Sequence, residues 1–130
     1  MTTNNHQFNE HDAVVKSISE ANQVRYPTYK IVNNIGGEKT NVAGMFPDII
    51  IQDAAGNLLF IIEVKKNGNI AHCIQQWKNV PKLPAFLYLV VPEVDLVNAK
   101  SIAQVMGLQQ IKFGTYKIDP HNKAVSVKYE

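Results

Sequence analysis

The sequence predicts a single α/β domain built on a central mixed sheet. Residues 47–65 hold two strand-length runs that are apolar on both faces, as strands covered on each side must be. A stretch of helical period separates them from another wholly apolar run at 85–91. The 130 residues are enough for one domain with a sizeable core, and 45% apolar against 18% charged residues is the balance of a globular chain rather than a disordered one.

Residues 1–8 are polar and read as a flexible N-terminus ahead of a domain over 9–130. Asn9 caps a helix to about Arg25, with Glu10 and Asp12 in the first turn, where acids favour the helix dipole. Val14, Ile18 and Ala21 mark its buried stripe, and Tyr26–Pro27 ends it, since a residue before proline avoids the helical region. TYKIVNN (28–34) alternates as a strand, and NNIGGEKTN (33–41) has the composition of a turn or flexible loop. FPDIIIQ and NLLFIIEVK form two strands about the turn DAAGN (53–57).

KNGN (66–69) breaks the second of these strands. A helix from about Ile70 to Asn79 then places Ile70, Cys73, Ile74 and Trp77 on one face. AFLYLVV (85–91) is a buried strand, and the intervening helix makes it parallel to the strand before, with a right-handed crossover. A third helix spans roughly Val94–Met106 and stops at Gly107, and IKFGTYKI with AVSVKYE forms a closing hairpin about DPHNK.

The formal charge of +2 permits nucleic-acid binding without demanding it. Arg25 is the only arginine, so one chain offers little of the forked guanidinium contact that reads bases. Cys73 is the only cysteine, which excludes an internal disulfide and any multi-cysteine metal centre. The polar start lacks the pattern of a signal peptide, and no apolar run approaches the ~20 residues of a membrane span, so a soluble cytoplasmic protein is expected.

Chemistry gathers at the two central strands. A two- or four-residue loop within the turn pairs Asp53 with Leu58 and, stepping outward, brings Asp48 opposite Glu63. Lys65 lies two residues beyond Glu63 on the same face. Facing carboxylates repel, and buried ones without a partner destabilise the fold. A divalent cation between Asp48 and Glu63 resolves the conflict; Mg²⁺ takes a few carboxylate oxygens and fills its other positions with water and phosphate, and Mn²⁺ is expected to substitute. Lys65 beside it can orient an attacking water and offset charge developing on phosphate.

FPDIII followed after a turn by LLFIIEVKK resembles the PD-(D/E)XK nuclease superfamily, which includes restriction endonucleases and Holliday-junction resolvases. The superfamily core, a restriction endonuclease-like helix, three strands, helix and strand, matches the order read over residues 9–91. The resemblance implies Asp48 and Glu63 as metal ligands, Lys65 as the residue positioning the water, and metal-dependent phosphodiester hydrolysis. It also implies a carboxylate on the first helix. Glu10, one turn before Val14, fits better than Glu20, which points away, although a first-turn glutamate also serves as a dipole partner. A glutamine on the second helix is implied as well. Gln75 is favoured and Gln76 stays open, either contacting phosphate or a water, or lying exposed with no role.

Lys66, Asn67 and Asn69 follow the site, and Lys39 lies in the loop ahead of it; these four are candidate nucleic-acid contacts. His72 reads as structural or solvated, Cys73 as core, and His6, His11 and His121 as scattered residues without ligand spacing. The expected substrate is DNA, with RNA as the competing choice, and a homodimer formed through the third helix or the terminal hairpin would address two strands. The competing reading is a catalytically silent relative serving as a DNA-binding or protein-interaction subunit. Deleting Gly36–Thr40 with the fold retained is expected to weaken nucleic-acid binding several-fold in a gel-shift titration; unchanged affinity would separate this loop from the substrate.

Overall fold

Asn9 opens the first helix as its sequence requires: its side-chain oxygen accepts the Asp12 backbone N–H at 3.0 Å, and α1 runs Glu10–Arg25. The computed structural model describes residues 8–80 and 85–130, so the expected flexible N-terminus lies, Phe8 apart, outside the described residues. Val14, Val15, Ile18 and Ser19 are the buried residues of α1. Ala21, expected on that stripe, is exposed, and half-buried Asn22 faces inward instead. A step of three from Ile18 falls about 60° off the stripe, whereas a step of four stays closer to it.

The strands are β1 (Lys30–Asn33), β2 (Ile49–Gln52), β3 (Leu58–Val64), β4 (Phe86–Pro92), β5 (Ile111–Ile118) and β6 (Val125–Tyr129). They form one six-stranded sheet in sequence order. β1, β2 and β3 are an antiparallel meander, β3, β4 and β5 are parallel neighbours, and β6 returns antiparallel to β5. Parallel neighbours need long crossovers, and the two here hold α2 (Asn69–Lys78) and α3 (Leu96–Met106).

α3 begins two residues later than its sequence suggests, because Glu93–Asp95 form a tighter 3-10 turn after Pro92. It ends as expected at Gly107, whose φ of 76° is the left-handed cap that glycine adopts without penalty.

Alternation along the central strands fills two cores. Ile61, Leu87, Leu89 and Val91 pack under α2 and α3 with Ile74, Trp77, Ala99 and Ala103. Ile49, Ile51, Ile62, Val64 and Val90 pack under α1 with Val14, Val15, Ile18 and Tyr116. The molecule is thus a mixed α/β domain with one helix on one face and two on the other. Among the described residues, no helix is long and apolar enough to cross a membrane.

Candidate active site

The β2–β3 pairing sets the geometry of the site. Ile49 pairs with Ile62, Ile50 with Ile61 and Ile51 with Phe60, so the next step outward sets Asp48 opposite Glu63. The turn reaches this register by another route than the one expected. Asp53 N–H bonds the Asn57 carbonyl at 2.9 Å, Gln52 pairs with Leu58, and Leu59 is the extra residue of a β-bulge. The Asp53 carboxylate causes the tighter closure by accepting from the backbone of Ala55 and Asn57 and from the Asn57 amide, each at 2.9 Å. Gly56 supplies the positive φ of 90°.

Glu63 is 5% exposed and is the buried acid of the sheet. One carboxylate oxygen accepts the Asp48 backbone N–H at 2.9 Å, and the other accepts the Trp77 indole N–H at 3.0 Å. Asp48 answers from the opposite strand, its Oδ2 accepting the Val64 N–H at 2.7 Å, with Lys65 Nζ 3.7 Å away. Burial, with Asp48 close by, pushes the Glu63 carboxyl up to about 7 despite Lys65 and the Trp77 bond. Asp48 is also pushed up by burial, but the His11 hydrogen bond, Lys65 and the Val64 N–H outweigh this and leave it below the usual carboxylate range. Burial opposes the charge of Lys65, yet Glu63 and Asp48 together hold its ammonium above the usual lysine value.

The first turn of α1 sends two side chains to the site in different directions. His11 Nε2 lies 3.1 Å from Asp48 Oδ1, while its Nδ1 lies 3.2 Å from Asp12 Oδ1. The Asp48 hydrogen bond, against the opposing effect of burial, raises the imidazole's proton affinity. Glu10 turns instead toward β5, where the Tyr116 hydroxyl donates to it at 2.6 Å, and Lys66 Nζ stands 3.4 Å from the same oxygen. The Tyr116 bond, with Lys66, keeps Glu10 below the usual carboxylate range. Glu10, His11, Val64, Lys66, Asn69 and Tyr116 line a cleft of about 210 Å³.

The other candidates divide. Gln75 and Gln76 are both exposed, and Trp77 is the α2 side chain that reaches Glu63. Glu20 is exposed on the outer side of α1. Asn67 takes a left-handed φ of 53° and donates its N–H to Asp95 at 3.1 Å, while Asn69 opens α2. Lys39 lies in the β1–β2 loop, which Asn34 organises by accepting the N–H groups of Lys39 and Thr40 and donating to the Pro47 carbonyl. Asn34 N–H also bonds the Asp48 carbonyl at 3.1 Å, so this loop is rooted at the site.

Two of these contacts escaped the sequence reading. Trp77 carried a signal, because a buried indole N–H needs an acceptor. His11 carried only its place beside a helix cap.

The residues able to hold a metal are Asp48 and Glu63. Among the described residues, no three His, Cys, Asp or Glu side chains form a group poised to hold an ion. Two carboxylates nonetheless suit a hard cation that keeps water and phosphate in its remaining positions. The like charges on facing strands, with the Glu63 proton held to about 7, are the mismatch that a cation would relieve. No family model, curated protein or solved structure matches the chain.

The raised Glu63 has a thermodynamic consequence. Between its ordinary value of 4.5 and about 7 the folded chain binds more protons than the unfolded one, so this group lowers stability as pH rises through that window. The loss amounts to roughly 3 kcal/mol. In EDTA, the stability of the wild type relative to Glu63→Gln is expected to fall by about that much across the window and to level off above it. Urea unfolding at a series of pH values measures this; a pH-independent difference would show that Glu63 ionises as an ordinary glutamate.

Proposed function

We propose that this chain is a metal-dependent endonuclease of the PD-(D/E)XK kind, hydrolysing phosphodiester bonds in DNA. The observation that carries the reading is the meeting of Asp48, buried Glu63 and Lys65 at one end of the β2–β3 pair. The order helix, three strands, helix, strand over residues 10–92 supports the same reading. Asp48 and Glu63 would hold Mg²⁺, with Mn²⁺ as substitute. The cation would supply Lewis-acid polarisation of the phosphate and stabilise charge in the transition state.

The rest of the chemistry belongs to the chain. Lys65, held as ammonium by its two acidic neighbours, donates a hydrogen bond that orients water for in-line attack and offsets charge on the phosphate. Lys66, Asn67 and Asn69 surround the adjoining α2 entrance, where their donors meet the phosphate backbone. Arg25 sits over the Tyr26 ring at the other end of α1 from His11. Base reading by arginine is therefore remote from the site, which favours structure-selective or weakly sequence-specific cutting.

A homodimer would bring two sites to two strands. Val94, Val97 and Val105 are more than four-fifths exposed on α3 and the turn before it, which favours the third helix over the terminal hairpin as the contact. Val97→Lys is expected to shift a dimer toward monomer in sedimentation; an unchanged mass would remove α3 from the interface.

The activity test uses supercoiled, linear, branched and single-stranded DNA, and RNA, with Mg²⁺, Mn²⁺ or EDTA. Cleavage is expected only with metal, and Asp48→Ala or Lys65→Ala should reduce it about a hundredfold or more. Cleavage that survives both substitutions would place the chemistry elsewhere. DNA binding without cleavage would favour the silent accessory reading, and cutting of RNA alone would reassign the substrate.

A further inference from the structure

The hairpin-tip end of the sheet carries another cavity, on the face that α1 covers. α1 stops short of covering this end, because Tyr26 precedes Pro27 and the helix closes at Arg25. The space beside its last turn, about 240 Å³, is floored by buried Ile51 and Ile62 and walled by Tyr26, Phe60, Tyr88 and Tyr129. Asn22 and Arg25 complete it from the helix. That is room for one ring system, below the ~300 Å³ or more of a drug-sized ligand's pocket.

Strand register places the rings. Tyr129 pairs with Gly114, where an added Cβ would come within 3.2 Å of the tyrosine ring. With no side chain there, Tyr129 reaches across β5 to Tyr88 of β4, the ring centroids 5.6 Å apart and nearly perpendicular. Tyr88 meets Phe60 of β3 edge-on at 5.5 Å. Phe86 pairs with Phe60 in the ladder, and Lys112 Nζ stands 5.0 Å over the Phe86 ring. Tyr26, Phe86 and Tyr129 are all more than a third exposed, so ring surface is left open to solvent.

Charge selects the occupant. Arg25 is the charged residue lining the cavity, and among the described residues no ion pair engages it. Lys112 adds a cation beside the rings. Ring faces flanked by cations are the combination that holds unpaired nucleotides, the bases stacking and the phosphates meeting the charges. A quaternary ammonium ligand also seeks ring faces, but Arg25 would repel it. An apolar side chain would leave the guanidinium without a partner.

We propose that this cavity takes an unpaired base of single-stranded DNA, with its phosphate at Arg25 and the neighbouring phosphate toward Lys112. The inference rests on the nuclease reading for its choice of DNA and names the substrate feature that reading leaves open. Arg25 lies about 20 Å along α1 from His11, which stands at Asp48. At ~3.4 Å per step, a strand held at Asp48 and Glu63 reaches the cavity roughly six nucleotides away. A flap, gap or junction opening there would be engaged, and a fully paired duplex would not.

The test measures binding in EDTA, where no cutting takes place. A fluorescein-labelled oligothymidylate of about twelve nucleotides is titrated with the full chain and followed by anisotropy. Tyr88→Leu is expected to weaken binding at least fivefold and Arg25→Gln about threefold, with Asp48→Ala within twofold of the unsubstituted protein. An oligonucleotide carrying 5-iododeoxyuridine is also photocrosslinked to the unsubstituted protein and mapped by mass spectrometry, so that the answer does not depend on a variant that folds. Crosslinks at Tyr26, Tyr88 or Tyr129 are expected. Affinity indifferent to both substitutions, or crosslinks confined to Lys66 and the α2 entrance, overturns the cavity and leaves the nuclease reading standing. Displacement of the strand by equimolar thymidine 5′-monophosphate overturns it in favour of a free nucleotide. Crosslinks at the cavity in a protein that cuts nothing with metal support the cavity and remove the nuclease reading.

Discussion

A carboxylate inside a sheet has to be answered by hydrogen-bond donors or by opposite charge, and the answer given to Glu63 organises this end of the molecule. One oxygen is tied to the backbone of the neighbouring strand and the other to an indole of the covering helix. Glu63 therefore links β3 to the start of β2 and to α2 through polar contacts. These donors are neutral and leave the acid's charge uncompensated, with Asp48 beside it adding to the strain. Lys65 relieves part of it from the rim. The donors around Glu63 thus fix its position without neutralising its charge.

The same logic explains the front of α1. Its first turn holds three titratable side chains in succession: Glu10 goes to Tyr116 and Lys66, His11 to Asp48, and Asp12 to His11, while the Asp12 backbone N–H goes to the Asn9 cap. The helix thereby docks onto the sheet through ionic contacts at its N-terminus and through Val14, Val15 and Ile18 further along. Polar contacts of this kind are directional, and so they fix the orientation of the side chains they join.

The fold was legible where one physical pattern dominated. Unbroken apolar runs identified the central strands, helical spacing identified the buried face of α2 as Ile70, Cys73, Ile74 and Trp77, and a glycine closed α3. The facing of Asp48 and Glu63 was legible too, because strand alternation carries register from one pair to the next. What escaped was decided by side chains acting at a distance. Asp53 closing on Asn57 tightened a turn whose length composition left open. His11 reaching Asp48 joins residues that are remote in the chain, and no local spacing announces such a meeting. Glu10 has the residue type and helical phase of a metal-site acid, yet Tyr116, contributed by β5, holds it toward another strand.

The bulge at Leu59 has an effect beyond local shape. The turn closes one step out of phase with the pairs near Asp48, and the single extra residue restores the phase before the strands reach Asp48 and Glu63. The register at the hairpin tip is thus set independently of the register at the Asp48–Glu63 end. A lineage that lengthens or shortens the tip by one residue can recover the alignment by removing or moving the bulge. A change of length at the tip can then leave the facing of Asp48 and Glu63 undisturbed.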